Sequence, residues 1–181
     1  MTGGVGKGAL AGMAGGVLGS LTMNAFQALW TLADEGPRAA WESFEQGGQL
    51  KKSRRQRWPW LEEPQSATMR AADGLGRAFL RRRLRPGERR VAGGLAHFVF
   101  GGLTGALYGS AAEIAPAVTR GVGLVYGSVV WLLADEIGVP LLRLSKSPLR
   151  YPASVHAQSF GAHLVFGLTV EAVRGALRQG R

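Results

Sequence analysis

Two histidines stand at matching places in a repeated segment, and their residue type suits proton exchange or ligand binding. The segment Ala-His-Phe-Val-Phe-Gly at 96–101 returns as Ala-His-Leu-Val-Phe-Gly at 162–167. A second pair, Trp-Thr-Leu-Ala-Asp-Glu at 30–35 and Trp-Leu-Leu-Ala-Asp-Glu at 131–136, shares five of six residues. The alternating order of these segments predicts two tandem helix pairs, the first of which is interrupted by a long insertion.

The repeats supply six ionisable side chains that could meet at one depth of a membrane. The Asp-Glu pairs would end the first and third helices on the side where the second and fourth helices begin, and each histidine follows about two turns later. Ionisable groups inside a membrane are costly and are candidates for function. We therefore predict one cluster in a single leaflet, consisting of His97, His163, Asp34, Glu35, Asp135 and Glu136.

Three interpretations of this cluster remain open from the sequence. As a proton-responsive site, each imidazole would gain charge near pH 6.5 and a carboxylate would stabilise the charged form. As a haem or metal site, His97 and His163 could be axial ligands on facing helices, with nearby glycines leaving room. As structural residues, the imidazoles would only tie their helices to polar partners, and the Asp-Glu pairs would mark interfacial helix ends.

The elements that must position these residues are four long apolar segments. The mean hydropathy of +0.03 hides them, because 14 of the 22 Lys/Arg residues lie between positions 36 and 90. Segments of about 20 apolar residues can cross a hydrocarbon core of about 30 Å. The sequence thus predicts an all-α integral membrane protein with spans at 8–33, 91–115, 121–139 and 154–176, and an insertion at 36–90.

Glycine and polar residues indicate how the spans would pack. Glycines recur every four residues inside the apolar runs, which allows close helix contact. The predicted packing glycines are Gly8, Gly12, Gly16, Gly101, Gly105, Gly109 and Gly167. Asn24 and Gln27 lie on one polar stripe of the first span, which a bundle interior could accommodate; hydrogen bonding to neighbouring helices would also explain them.

The insertion is strongly basic and predicts contact with lipid. An amphipathic helix at about 66–84 would lie on an anionic membrane surface. The predicted headgroup-binding residues are Arg70, Arg77, Arg81, Arg82 and Arg83. Nucleic-acid binding is the competing interpretation, but no nucleic-acid-binding motif accompanies the charge, and we predict no such partner.

Charge asymmetry predicts the orientation. The insertion and the loop between the third and fourth spans carry 17 of the 22 basic residues, so the positive-inside rule places them in the cytoplasm and both termini in the periplasm. The bilayer and its anionic headgroups are the predicted partners, with a second copy or another membrane subunit as a further possibility.

Catalytic signatures are absent from the sequence. It contains no cysteine, no Gly-x-Ser-x-Gly elbow and no His-Glu-x-x-His motif. We therefore expect a protein that is not an enzyme and has no cofactor, unless haem or a metal binds His97 and His163.

Three segments resemble the YagU-like family of bacterial inner-membrane proteins. They are Gly-Ala-Leu-Ala-Gly at 8–12, the Ala-His-x-Val-Phe-Gly segment at 96–101, and Ser-Phe-Gly-Ala-His-Leu-Val-Phe at 159–166 ahead of Glu171 and Arg174. The resemblance covers the spans and leaves out the basic insertion. It implies an inner-membrane protein linked to survival under acid stress, and it supplies no catalytic residues. The alternative is a structural or redox subunit of a larger membrane complex.

Overall fold

The computed structural model describes residues 2–38, 40–41 and 66–179, and nearly all of them are helical. Within these ranges there is no β-strand. Four helices are long and apolar enough to cross a membrane, so the expectation of an all-helical chain with four such helices is confirmed. Many large apolar side chains point outward, among them Leu10, Leu107 and Leu133 at 67%, 71% and 57% exposure. An apolar exterior of this kind is typical of a membrane protein.

Five helices make up most of the described part of the chain. They are α1 (Thr2–Glu35), α2 (Ala67–Leu80), α3 (Pro86–Ile114), α4 (Leu124–Val130, continuing through a π-helical stretch Trp131–Gly138 to Val139–Leu141) and α5 (Ala153–Gln179). Short 3-10 turns, Pro116–Thr119 and Pro148–Arg150, precede α4 and α5. The predicted insertion is described only at its ends, so its basic and tryptophan-containing centre at 51–61 lies outside the described residues.

Local sequence explains where the long helices begin and end. Gly36 follows α1 with φ of +90°, a backbone conformation that glycine adopts without steric cost. Pro86 starts α3, where its missing N–H needs no partner, and the Glu88 carboxylate accepts the Arg85 N–H at 2.8 Å.

Glycines bring α1 and α3 into backbone contact along three successive turns. A Cβ added to Gly12 would lie 2.1 Å from the Gly105 carbonyl oxygen, and one added to Gly105 would lie 2.2 Å from that of Gly12. The antiparallel pairs are Gly8 with Gly109, Gly12 with Gly105, and Gly16 with Gly101. Any larger side chain would separate the helices, which is the physical role of small residues at membrane helix contacts.

Helix α1 occupies the centre of the bundle and α4 its edge. On its other side α1 packs against α5, with Gly15 against the Val170 backbone. Helix α4 packs mainly on α5, where Gly123 approaches the carbonyl of Gly167 and Gly127 approaches that of His163. All seven glycines predicted to mediate packing therefore lie at backbone contacts.

Helix α2 packs across the bundle where α3 begins. The Ser66 hydroxyl caps it by accepting the Met69 N–H at 3.0 Å, and Met69 covers Gly93 of α3. The Arg70 guanidinium donates to the Leu144 carbonyl at 3.2 Å, which ties α2 to the segment after α4. The protein-facing side contains Ala72 and Gly76, both of which are buried.

The exposed apolar residues of α2 lie on a neighbouring face. Leu75 is 56% exposed and Phe79 is 81% exposed. Asp73 fixes the turn into α3 because its carboxylate accepts the Leu84 N–H at 3.1 Å and lies 3.6 Å from the Arg89 guanidinium. One side of α2 thus binds the bundle while an adjacent apolar side stays uncovered.

Candidate functional site

His163 lies at the centre of a polar cluster between α3, α4 and α5. It is 5% exposed, and its Nδ1 is 2.9 Å from the Ser159 carbonyl oxygen. Because a carbonyl only accepts hydrogen bonds, Nδ1 carries a proton and Nε2 is the basic nitrogen of the neutral ring. The Asp135 carboxylate is 3.9 Å from Nδ1 and accepts a hydrogen bond from the Ser159 hydroxyl. This arrangement can stabilise an imidazolium at His163.

His97 reaches the same cluster from α3. Its ring has a hydrogen-bonding interaction with the Ser20 backbone and interacts electrostatically with both His163 and Asp135. Within the part of the chain that the structure describes, its Nε2 is buried and has no hydrogen-bond partner. An unpaired buried nitrogen is costly unless water or a proton acceptor reaches it.

A second ion pair adjoins the cluster. The His156 Nδ1 lies 2.7 Å from Oε1 of Glu136, and its Nε2 lies 3.1 Å from the Pro148 carbonyl oxygen. Both ring nitrogens face acceptors, which is the geometry of a charged imidazolium beside a carboxylate. The sequence predicted Glu136 as a site residue and missed His156. The sequence did contain a signal for His156, because this residue lies three positions before Ser159 and seven before His163, on one face of a helix.

The structure brings some of the six predicted residues together and places Asp34 apart from them. Asp34 is exposed and lies fourteen residues beyond Ser20, about 21 Å along α1 at 1.5 Å per residue. The side chain of Glu35 lies outside the described part of the structure. His97, His163 and Asp135 come together, and Glu136 pairs with His156 next to them.

Different helix registers explain why Asp34 lies apart from the histidines. On α1, Ser20 faces His97, so Trp30 lies ten residues beyond the level of that histidine. On α4, Gly127 contacts the His163 backbone, so Trp131 lies only four residues beyond. The similar segments therefore stand at different depths relative to their histidines.

The π-helical stretch of α4 carries both carboxylates of the cluster. It covers Trp131–Gly138 and ends two residues before Pro140. Proline lacks an N–H and its ring clashes with the carbonyl four residues earlier, so the helix widens upstream of it. Widened turns of this kind are often found at functional sites. Here the stretch holds Asp135 and Glu136 against His163 and His156 of α5.

The predicted polar stripe of α1 lies inside the bundle. Asn24 is 6% exposed, and the side-chain oxygens of Asn24 and Gln27 are buried without a hydrogen-bond partner among the described residues. The Trp131 indole nitrogen is likewise buried without a hydrogen-bond partner among the described residues. Buried polar atoms in native proteins usually have partners, commonly water.

The opposite end of the bundle holds two ion pairs that the sequence reasoning did not single out. The Arg178 guanidinium binds both Glu113 oxygens at 2.7 and 2.8 Å, and the Arg174 guanidinium binds both Glu171 oxygens at 2.7 Å. The Tyr108 hydroxyl donates to Glu171 at 3.0 Å. The sequence of α5 contained a signal for these ion pairs. At helical spacing, Glu171, Arg174 and Arg178 lie on the same face of α5 as His163.

Three of the predicted headgroup-binding arginines make protein contacts. Arg70 donates to Leu144, Arg77 lies 3.6 Å from Asp73, and Arg82 forms a two-pronged ion pair with Glu88 at 2.7 and 2.9 Å. This hydrogen bond raises the pKa of Arg82 above its usual value. Arg81 and Arg83 are exposed in the turn after α2.

Across the described ranges, no group of three or more His, Cys, Asp or Glu side chains is placed to hold a metal ion. Gly101 and Gly167, each four residues after one of the two histidines, contact the backbones of α1 and α4.

Comparison with known proteins adds one finding. The profile of a family described as a protein of unknown function (DUF1440) matches residues 83–172, a stretch that contains α3, α4 and most of α5. No curated protein and no solved structure matches the chain. The matched stretch includes His97, Asp135 and His163, whereas α1 and α2 lie outside it.

Proposed function

We propose that this chain is a small multi-pass protein of the bacterial inner membrane whose cluster of His97, His163 and Asp135 takes up and releases protons. The observation that carries the proposal is the buried His163 ring with a carboxylate 3.9 Å away. Of the protein side chains, histidine is the one that ordinarily changes charge between pH 5 and 8. The Ser159 hydroxyl holds the carboxylate in position.

The second histidine makes the site a coupled pair. Two imidazoles that interact repel each other when both are charged, so protonation of one opposes protonation of the other. The pair would therefore take up its protons in separate steps. A role in acid or envelope homeostasis, without enzymatic activity, fits this chemistry and the expectation from the YagU-like resemblance.

Histidine NMR tests the proposal directly because the chain has three histidines. The full chain, labelled with ¹⁵N-histidine in nanodiscs, is titrated from pH 4.5 to 8, and single His→Asn variants assign each signal. We expect His163 to change its protonation state within this range. Ring signals of His97 and His163 that stay constant throughout would overturn the proposal.

The two similar segments provide a matched pair of variants. Asp135→Asn removes the carboxylate that stabilises a charged His163, so less imidazolium should be present at a given acidic pH. Asp34→Asn makes the same chemical change about 21 Å along α1 from Ser20, the residue that faces His97, and should leave the His163 titration unchanged. If both variants behave alike, Asp135 has no part in the site.

A second candidate function is a subunit of a larger membrane complex. It is supported by α4, because 6% of the apolar window of this span is buried within the chain, against 44% for the first span. Mass determination in mild detergent would support this candidate if it found a stoichiometric partner or a second copy. A monomer without copurified protein would count against it.

Haem ligation by His97 and His163 is the remaining alternative, supported by the unpaired His97 Nε2. Close backbone packing of Gly101 and Gly167 disfavours it, since a porphyrin would require the helices to separate. An absorption spectrum of the purified protein decides the point, because bound haem would give a Soret band.

A further inference from the structure

The segment that contains α2 and the start of α3 has more positive charge than its own carboxylates can neutralise. Residues 67–90 include eight arginines and two acidic residues, Asp73 and Glu88. Asp73 lies 3.6 Å from both the Arg77 and the Arg89 guanidinium. Glu88 binds two nitrogens of the Arg82 guanidinium at 2.7 and 2.9 Å. Both carboxylates are therefore occupied, and the remaining arginines of the segment have no local counter-ion.

Three of these remaining arginines stand out because they are exposed and unpaired. They are Arg81, Arg83 and Arg90, whose guanidinium groups make no hydrogen bond or ion pair with any residue that the structure describes. Arg81 and Arg83 were expected from the sequence to bind headgroups, whereas Arg90 was not. Unpaired guanidinium groups on a surface favour an anionic partner, because their paired N–H donors match the oxygens of a phosphate.

The unpaired arginines lie where the exposed surface of the protein becomes apolar. Val91 and Leu95 follow Arg90 on α3 and are both exposed, and the next charged residue of this helix is Glu113. Leu80, the last residue of α2, is also exposed. Because α3 is long and apolar enough to cross a membrane, the change from arginine to apolar residues marks the level of the lipid headgroups.

We propose that Arg81, Arg83 and Arg90 bind the phosphate groups of anionic phospholipids in the adjoining leaflet. The acyl chains of these lipids lie on the exposed apolar residues beside the arginines, such as Val91. An anionic phospholipid is preferred over a zwitterionic one because its headgroup carries a net negative charge toward cations that the protein leaves unneutralised. Nucleic acid also offers phosphates, but it brings no hydrocarbon to the apolar surface next to them.

A fluorophore close to the three arginines tests this proposal in the full chain. The sequence has no cysteine, so Gly87→Cys is labelled alone; Gly87 is exposed, and an added Cβ there meets nothing within 4 Å. The labelled protein is placed in phosphatidylcholine vesicles with a small share of spin-labelled phosphatidylglycerol or, in parallel, of spin-labelled phosphatidylcholine. We expect the phosphatidylglycerol probe to quench the fluorophore more strongly. This preference should shrink as salt rises.

Matched variants separate the site from the net charge of the protein. Arg83→Gln combined with Arg90→Gln should remove most of the preference, because each lost arginine contact lowers binding by up to about fivefold. Lys7→Gln combined with Arg120→Gln removes two exposed cations at the opposite end of the bundle and should leave the preference unchanged. Equal quenching by the phosphatidylcholine probe in all three proteins would show that the variants are folded and inserted.

Several outcomes would overturn the proposal. Equal quenching by the two probes would do so, as would a preference that persists without Arg83 and Arg90. Displacement of the phosphatidylglycerol probe by inorganic phosphate, but not by chloride at the same ionic strength, would assign the site to free phosphate instead. Arginine-dependent binding of an oligonucleotide to the protein in phosphatidylcholine vesicles would assign it to nucleic acid. None of these results depends on the titration of His163, so the proposed proton exchange is tested separately.

Discussion

Several residues in this bundle pack so closely against a neighbouring helix that a larger side chain would not fit. The glycines between α1 and α3 illustrate this, because each stands where an added methyl group would meet a carbonyl oxygen. The three histidines also differ by local partners: His156 has acceptors at both nitrogens, His163 has one at Nδ1, and the His97 Nε2 has none in the described structure. The same residue type therefore meets three chemical environments within one membrane protein.

Two glycines of α3 give a matched stability prediction. Gly105→Ala would bring a Cβ to 2.2 Å from the Gly12 carbonyl oxygen, and such overpacking should cost about 1–3 kcal/mol. Gly94→Ala adds the same methyl group to the same helix in open space and should be neutral or stabilising by up to about 1 kcal/mol. Thermal unfolding in detergent compares them. Equal midpoints would show that the contact between α1 and α3 is unimportant.

At the scale of whole elements, α2 is both docked and exposed. Met69 and Arg70 attach it to α3 and to the segment after α4, while Leu75 and Phe79 remain uncovered beside the exposed arginines of the following turn. A helix with an uncovered apolar face next to cations is suited to an anionic membrane surface.

The full chain can report this lipid contact through one label. Phe79→Cys with an environment-sensitive fluorophore should emit at shorter wavelength in anionic nanodiscs than in neutral ones. The difference should shrink as salt rises, because exposed charges are screened within about 8–10 Å at physiological ionic strength. A label at Ala72→Cys, on the docked face, serves as the control. Identical Phe79→Cys emission in both lipids would remove the interfacial assignment.

The helices themselves could be predicted from the sequence more completely than the depth at which each helix packs against its neighbours. Apolar length predicted four membrane-capable helices, and glycine spacing predicted the faces that touch, because both signals are local. The depth of Asp34 relative to the histidines could not be predicted from the sequence, because the depth of one helix against another depends on side chains of both. The π-helical stretch before Pro140 and the pairing of His156 with Glu136 were missed for the same reason.

At the scale of the whole molecule, two ends of opposite character face each other across an apolar middle. Histidines and carboxylates lie at one end, and paired glutamates and arginines lie at the other. The segment between α4 and α5 contributes Arg143, Lys146 and Arg150 at the histidine end. Since α2 joins that segment through Arg70, the basic insertion returns to the same end. From the positive-inside rule we expect the histidine end to face the cytoplasm.

The absence of cysteine from the sequence makes this orientation measurable, because any introduced thiol is the only one in the chain. Leu149→Cys, at a residue 96% exposed before α5, should react with a membrane-impermeant maleimide only after bacterial cells are opened. Val118→Cys, in the turn before α4, lies at the other end of the bundle and should react in intact cells. The reversed pattern would place the histidine cluster toward the periplasm.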